Sequence, residues 1–124
     1  MYFAYWMVLA AAFLPYASTA YAKQGSADNH TPRLFAETLT GPRQRADWAQ
    51  RNHFEAFPTF AAAVIIASIA GAPHMTINWL AGIFVGLRVL YTFAYITDRA
   101  TLRSVLFMLG SVCVLGLFLA AGFA

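Results

Sequence analysis

Charge is what this sequence lacks most. Charged residues occupy 10% of its 124 positions, against about a quarter in ordinary globular domains. A soluble domain needs charge to cover its surface, so the scarcity weighs against a soluble helical bundle. Cysteine is nearly absent too: Cys113 stands alone, which excludes an intrachain disulfide. It lies in an apolar run, where a thiol behaves as a small hydrophobe. The three histidines, His30, His53 and His74, are scattered, with no Cys or carboxylate at ligand spacing, so no metal site is expected. A Gly-rich phosphate loop, a Ser-His-Asp pattern, a haem signature and an internal repeat are all missing. The net charge of +3 comes from a few basic residues beside apolar spans. It is therefore not a nucleic-acid signal.

What the chain has instead is length without charge. Apolar residues make up 60% of it, and crossing about 30 Å of hydrocarbon takes roughly 20 of them in a helix. Four stretches qualify. Tyr2–Ala22 carries no charge. A second span starts weakly polar and is apolar from Phe54 to Ala70. A third runs from Met75 to Ile96, interrupted by Arg88, and a fourth from Leu102 to Phe123. The expectation is an all-α membrane protein: a four-transmembrane-helix bundle in a single domain, 1–124. Its helices fall at about 2–22, 43–71, 75–97 and 101–123, with a loop at about 23–42. The first span ends in ASTAYA, which resembles a small-residue cleavage site. No Lys or Arg precedes Lys23, however, and the run exceeds a usual signal core, so a retained helix is expected.

The basic residues Lys23, Arg33, Arg43, Arg45, Arg51, Arg88, Arg99 and Arg103 all lie in or near two loops on one side. The turn near Gly71–His74 has no formal charge. By the positive-inside rule the basic side is cytoplasmic, and both termini face the other side. A multi-pass integral membrane protein fits this pattern. Trp6 and Trp79 fall near the uncharged side, as interfacial aromatics do. Gly82 and Gly86 form a G-x-x-x-G pair that permits close helix approach.

The chemistry gathers at residues 51–58, RNHFEAFP. On a helix, Arg51 and Glu55 are i,i+4 and Asn52 and Glu55 are i,i+3, so these pairs can touch. Thr59 extends the Asn52–Glu55 stripe by a turn. Pro58 frees the carbonyl of Phe54 and bends the helix. In the third span, Arg88, Tyr91 and Tyr95 share one face. Arg88 is about 13 Å from the charged end at 1.5 Å per residue. An unpaired Arg at that depth is costly, and Glu55, at similar depth, is its expected partner. His53 points about 100° away from Asn52 at 3.6 residues per turn and is expected to be solvated or interfacial. Two readings stay open. Glu55–Arg88 is an interhelical staple with Asn52 as hydrogen-bonding glue. Alternatively, Arg51, Arg88 and Arg103 bring more positive charge than one Glu neutralises, and the surplus serves an anionic ligand. A transporter or proton relay is a further class, because intramembrane ionisable groups also mark such pathways.

Three motifs in order carry a family resemblance. They are Arg51-Asn52-His53-Phe54-Glu55-Ala56-Phe57-Pro58, then Arg88-Val89-Leu90-Tyr91-Thr92-Phe93-Ala94-Tyr95, then Leu102-Arg103-Ser104. Together they resemble the MAPEG family, the membrane-associated proteins in eicosanoid and glutathione metabolism, and the chain looks most like its compact bacterial members. The resemblance implies a homotrimer with glutathione bound between subunits near the cytoplasmic side. Matched by position, Arg51, Asn52, Glu55, Arg88, Tyr91 and Tyr95 hold glutathione as co-substrate. Arg103 stabilises its thiolate, with Ser104 as a second donor. The implied partners are a second and third copy of the chain, membrane lipid and a lipophilic small molecule, with no nucleic acid and no metal.

The chemistry suits that tripeptide. Paired guanidinium donors match its carboxylates, Glu55 matches its ammonium, and a guanidinium near the sulfur favours the thiolate. The implied function is a glutathione-dependent transferase or peroxidase acting on lipophilic electrophiles. The alternative is a non-catalytic membrane binding or scaffold protein on the same fold. Two departures stand out. Eukaryotic enzymes of the family carry an Arg in the first helix, and this first helix has none before Lys23. Trp48 stands one turn before Asn52, where some members have a further Arg.

Overall fold

The computed structural model describes residues 2–24, 30 and 32–124. Five helices follow one another: α1 (Phe3–Lys23), α2 (Pro32–Glu37), α3 (Gly41–Ala70), α4 (His74–Ile96) and α5 (Ala100–Gly122). All but α2 are long and apolar enough to cross a membrane. Among the described residues there is no strand.

Local sequence sets the helix ends. Proline lies in the first turn of α3, after Thr40 in extended backbone, where a missing N–H costs nothing and φ is already suitable. Gly71 ends α3 in the left-handed conformation, with φ 84°. Its N–H donates to Ser68 O, and Ala72 N–H reaches back to Ala67 O, which ties off the last carbonyls. The tight turn expected near Gly71–His74 follows from this arrest, and α4 begins at once.

The stretch read as a continuous loop holds a helix. Pro32 opens α2, and Ala36 and Leu39 bury against Ala22 of α1 and Ala46 of α3, with Phe35 packed beside them. Six residues are too few for periodicity to reveal. Two of the loop-side arginines act as helix caps. Arg43 donates from Nε to Ala22 O at 2.6 Å and from Nη2 to Lys23 O at 2.8 Å. Arg45 Nε donates to Ile96 O at 2.9 Å. Helix C-termini present orphan carbonyls and a negative dipole end, and guanidinium groups satisfy both.

In the bundle, α3 and α4 each pack on the other three long helices, while α1 and α5 stand at opposite corners. The α1–α3 seam is built from small residues, including Ala4, Ala11, Ala63 and Ala67. Phe60 of α3 stacks on Phe84 of α4 with centroids 4.0 Å apart, and Cys113 and Leu117 of α5 close the same core. Of the G-x-x-x-G pair, only Gly82 sits at a close approach: an added Cβ would lie 2.9 Å from Phe3, whereas nothing lies within 4 Å of one at Gly86. α3 continues through Pro58 to Ala70. The antiparallel order brings the α3–α4 turn and both chain ends to one end of the bundle. The short α2 and the α4–α5 turn lie at the other.

Candidate functional site

The buried stripe of α3 sets the geometry. Ala46, Ala49, His53, Phe60, Ala63 and Ala67 are all buried, and their spacings of three, four and seven trace one helix face. His53 therefore points into the seam with α4, while Asn52 is half-buried beside it and Glu55 is exposed. Arg88 of α4 meets this seam and is only 3% exposed.

Its partners differ from those expected. Arg88 Nε donates to His53 Nδ1 at 3.2 Å, and Nη2 donates to the same nitrogen at 2.8 Å. Nη2 also donates to Asn52 Oδ1 at 2.8 Å. The guanidinium carbon lies 4.2 Å from the Tyr91 ring centroid. Among the described residues Glu55 has no ion-pair partner, so the Glu55–Arg88 staple does not form. The solvated His53 is likewise corrected. It is buried, and its Nε2 lies 2.7 Å from Thr92 Oγ1. The Thr92 hydroxyl spends its proton on Arg88 O at 2.9 Å. The reason for both corrections is helical phase: His53, not Glu55, continues the core stripe.

Two adjoining hollows open beside this network. One, about 330 Å³, is lined by Asn52, Glu55 and Thr59 of α3 facing Phe107 and Ser111 of α5, with Arg88 of α4 between them. The Asn52–Glu55–Thr59 stripe thus forms a single wall. The second, about 350 Å³, is lined by Asn52, Tyr91, Tyr95, Arg103, Ser104 and Phe107. Asn52 and Phe107 border both. In the second, the Arg103 guanidinium lies 4.6 Å from the Tyr95 ring centroid, and Tyr91 meets Tyr95 edge-to-face at 5.7 Å.

Arg51 is not with them. Its side chain is 58% exposed and pairs with Asp47 at 3.2 Å, not with Glu55. An acid four residues N-terminal to a base is the favourable orientation on a helix. Arg51 lines a separate hollow with Lys23, Arg33, Glu37 and Asp47.

Sequence reasoning missed two residues at the site. His53 was legible in its spacing from Ala49 and Phe60. Thr92 falls one turn after Arg88 but carried no signal of its own. Trp48 lies with its ring 6.5 Å from that of Tyr95, at the position where some members of the resembled family have an Arg. Among the described residues no group of His, Cys, Asp and Glu is arranged to hold a metal ion.

The model of the MAPEG family matches residues 3–123. No curated protein and no solved structure matches the chain.

Proposed function

The chain belongs to the MAPEG family, and from that premise we propose that it is a glutathione-dependent membrane transferase or peroxidase acting on lipophilic electrophiles. The family includes glutathione transferases and peroxidases as well as non-catalytic members. The observation that carries the proposal is the guanidinium of Arg88, buried in an apolar bundle and, among the described residues, hydrogen-bonded only to neutral acceptors. A buried charge without a counter-charge is expensive. An anionic ligand in the adjoining hollow offsets that cost.

In this reading Arg88 and Asn52 take a glutathione carboxylate, and Glu55, exposed on the same wall and without an ion-pair partner among the described residues, takes the ammonium. Tyr91 and Tyr95 border the tripeptide. Arg103 and Ser104, in the second hollow, face the sulfur. A guanidinium there favours the thiolate, which is the nucleophile. In conjugation the thiol proton leaves to solvent and the sulfur lone pair forms a bond to the electrophilic carbon. The bond from that carbon to its leaving group breaks, and the group departs with the electron pair. The lipophilic partner enters along the apolar side formed by Phe107 and Val114. Both hollows are open at the bundle surface, so neighbouring copies in a homotrimer would complete them. The loop end carrying Arg43, Arg45 and Arg99 faces the cytoplasm of a bacterial inner membrane, and the termini face away.

A second reading, non-catalytic binding or scaffolding on the same fold, is favoured by one observation: α1 has no basic residue before Lys23. Turnover separates the two. Purified protein at millimolar glutathione should conjugate a chloro-nitroaromatic, and Arg103→Ala should remove most of that rate while glutathione still binds. Absence of both conjugation and peroxidase turnover in the wild type would falsify the enzyme reading and leave the scaffold.

A further inference from the structure

We propose that His53 is the positioning residue of this pocket: as a neutral acceptor it fixes the Arg88 guanidinium without cancelling its charge. The inference rests on the glutathione-pocket reading for its ligand, and on geometry alone for the clamp.

The hydrogen bonds determine the protonation of His53. Thr92 Oγ1 has one proton and gives it to Arg88 O, so at 2.7 Å from His53 Nε2 it can only accept. Nε2 therefore carries the imidazole proton. Nδ1 receives N–H donors from Arg88 at 3.2 and 2.8 Å, so it carries none. The imidazole is neutral, in a single tautomer. The contacts form a closed circuit from the Arg88 carbonyl through Thr92 and His53 back to the Arg88 side chain. Thr92 is the turn after Arg88 on the same helix, so α4 braces the ring that grips its own arginine.

The consequence lies in which donors are used. Nε and Nη2 are occupied by His53 and Asn52. Nη1 has no acceptor among the described residues, yet no buried side-chain nitrogen or oxygen there is left unpartnered. Nη1 is thus on the accessible side of a residue that lines the hollow. A carboxylate at position 53 would grip the guanidinium as well, but would neutralise it. Histidine supplies the grip alone, and Glu55 is left to a ligand cation.

The test uses the full chain in detergent micelles. First, nitrogen-15 NMR of the histidine rings at neutral pH, with the His53 signals assigned by their loss in His53→Asn, should show Nε2 protonated and Nδ1 bare. A protonated Nδ1 overturns the clamp. Second, calorimetric titration with glutathione compares wild type with three variants. His53→Asn keeps a neutral oxygen near the place of Nδ1 and should bind within about threefold of wild type. His53→Asp keeps the acceptor and adds the charge, and should lose at least about tenfold in affinity while its thermal stability is equal or higher. His53→Leu should lose affinity as well. A purely structural role would not separate Asn from Asp, so equal binding by those two overturns the inference even when the wild type binds. If the wild type itself does not bind glutathione, the pocket reading fails, and the ring tautomer alone decides the clamp.

Discussion

At Arg88 a truncation would remove the donor on which both Asn52 Oδ1 and His53 Nδ1 depend. Buried acceptors left unmatched cost about 1–3 kcal/mol. Arg88→Ala should therefore lower the thermal midpoint in detergent and abolish glutathione binding together. Glu55 is exposed and has no ion-pair partner among the described residues. Glu55→Ala should change stability by less than about 0.5 kcal/mol while weakening glutathione binding at least about tenfold, as loss of a charge-assisted contact does. An interhelical staple would require the opposite for stability, with Glu55→Ala as damaging as Arg88→Ala. Arg51→Ala breaks only a surface pair with Asp47. Its expected cost is about 0.3–0.5 kcal/mol, with conjugation unchanged.

Among the helices, the α1–α4 contact and the α3–α4 turn are the joints most sensitive to side-chain size. A Cβ at Gly82 would lie 2.9 Å from the ring edge of the half-exposed Phe3, so the ring must shift to admit it, and Gly82→Val should cost about 1 kcal/mol, at the low end of overpacking. Gly86→Ala meets open space and should be neutral, or stabilising by up to about 1 kcal/mol from helix propensity. Thermal unfolding of the two variants side by side checks the contrast, and equal loss would argue that both glycines pack. Gly71 needs a left-handed backbone at φ 84°, which costs other residues about 1–2 kcal/mol. Much of this scale was legible in the sequence: four spans, a tight turn and a charged loop end. The short α2 was not, because its stability comes from Ala36 and Leu39 docking on Ala22 and Ala46, and not from its own period.

The molecule as a whole exposes large apolar side chains, among them Ile69, Met75, Phe93 and Val112, on the outside of its bundle. Lipid is the partner such surfaces need, and in the proposed homotrimer neighbouring copies would cover part of them. Cross-linking in native membranes should stop at three chains if the homotrimer holds; a product that stops at two would overturn it. The distribution of charge makes a second prediction at this scale. A cysteine placed at Asp98 in a Cys113→Ser background should react with an impermeant thiol reagent only from the cytoplasmic face, and one at Ala124 only from the opposite face. Reversed labelling would contradict the orientation inferred from the arginines.

The sequence alone determined the helical class, the number of spans and the end of the bundle that carries charge. Those properties follow from composition and from segments about as long as a bilayer is thick, and they need no knowledge of neighbours. It also marked Asn52, Glu55, Arg88, Tyr91, Tyr95, Arg103 and Ser104 as polar groups at related depths. Which of them touch was decided by tertiary structure. Helix rotation placed His53 in the seam and Glu55 outside it, and residues two positions apart on α3 therefore had opposite fates. A pattern read along one helix gives the angle between side chains. Only the partner helix, α4 with Arg88 and Thr92, sets which angle faces inward.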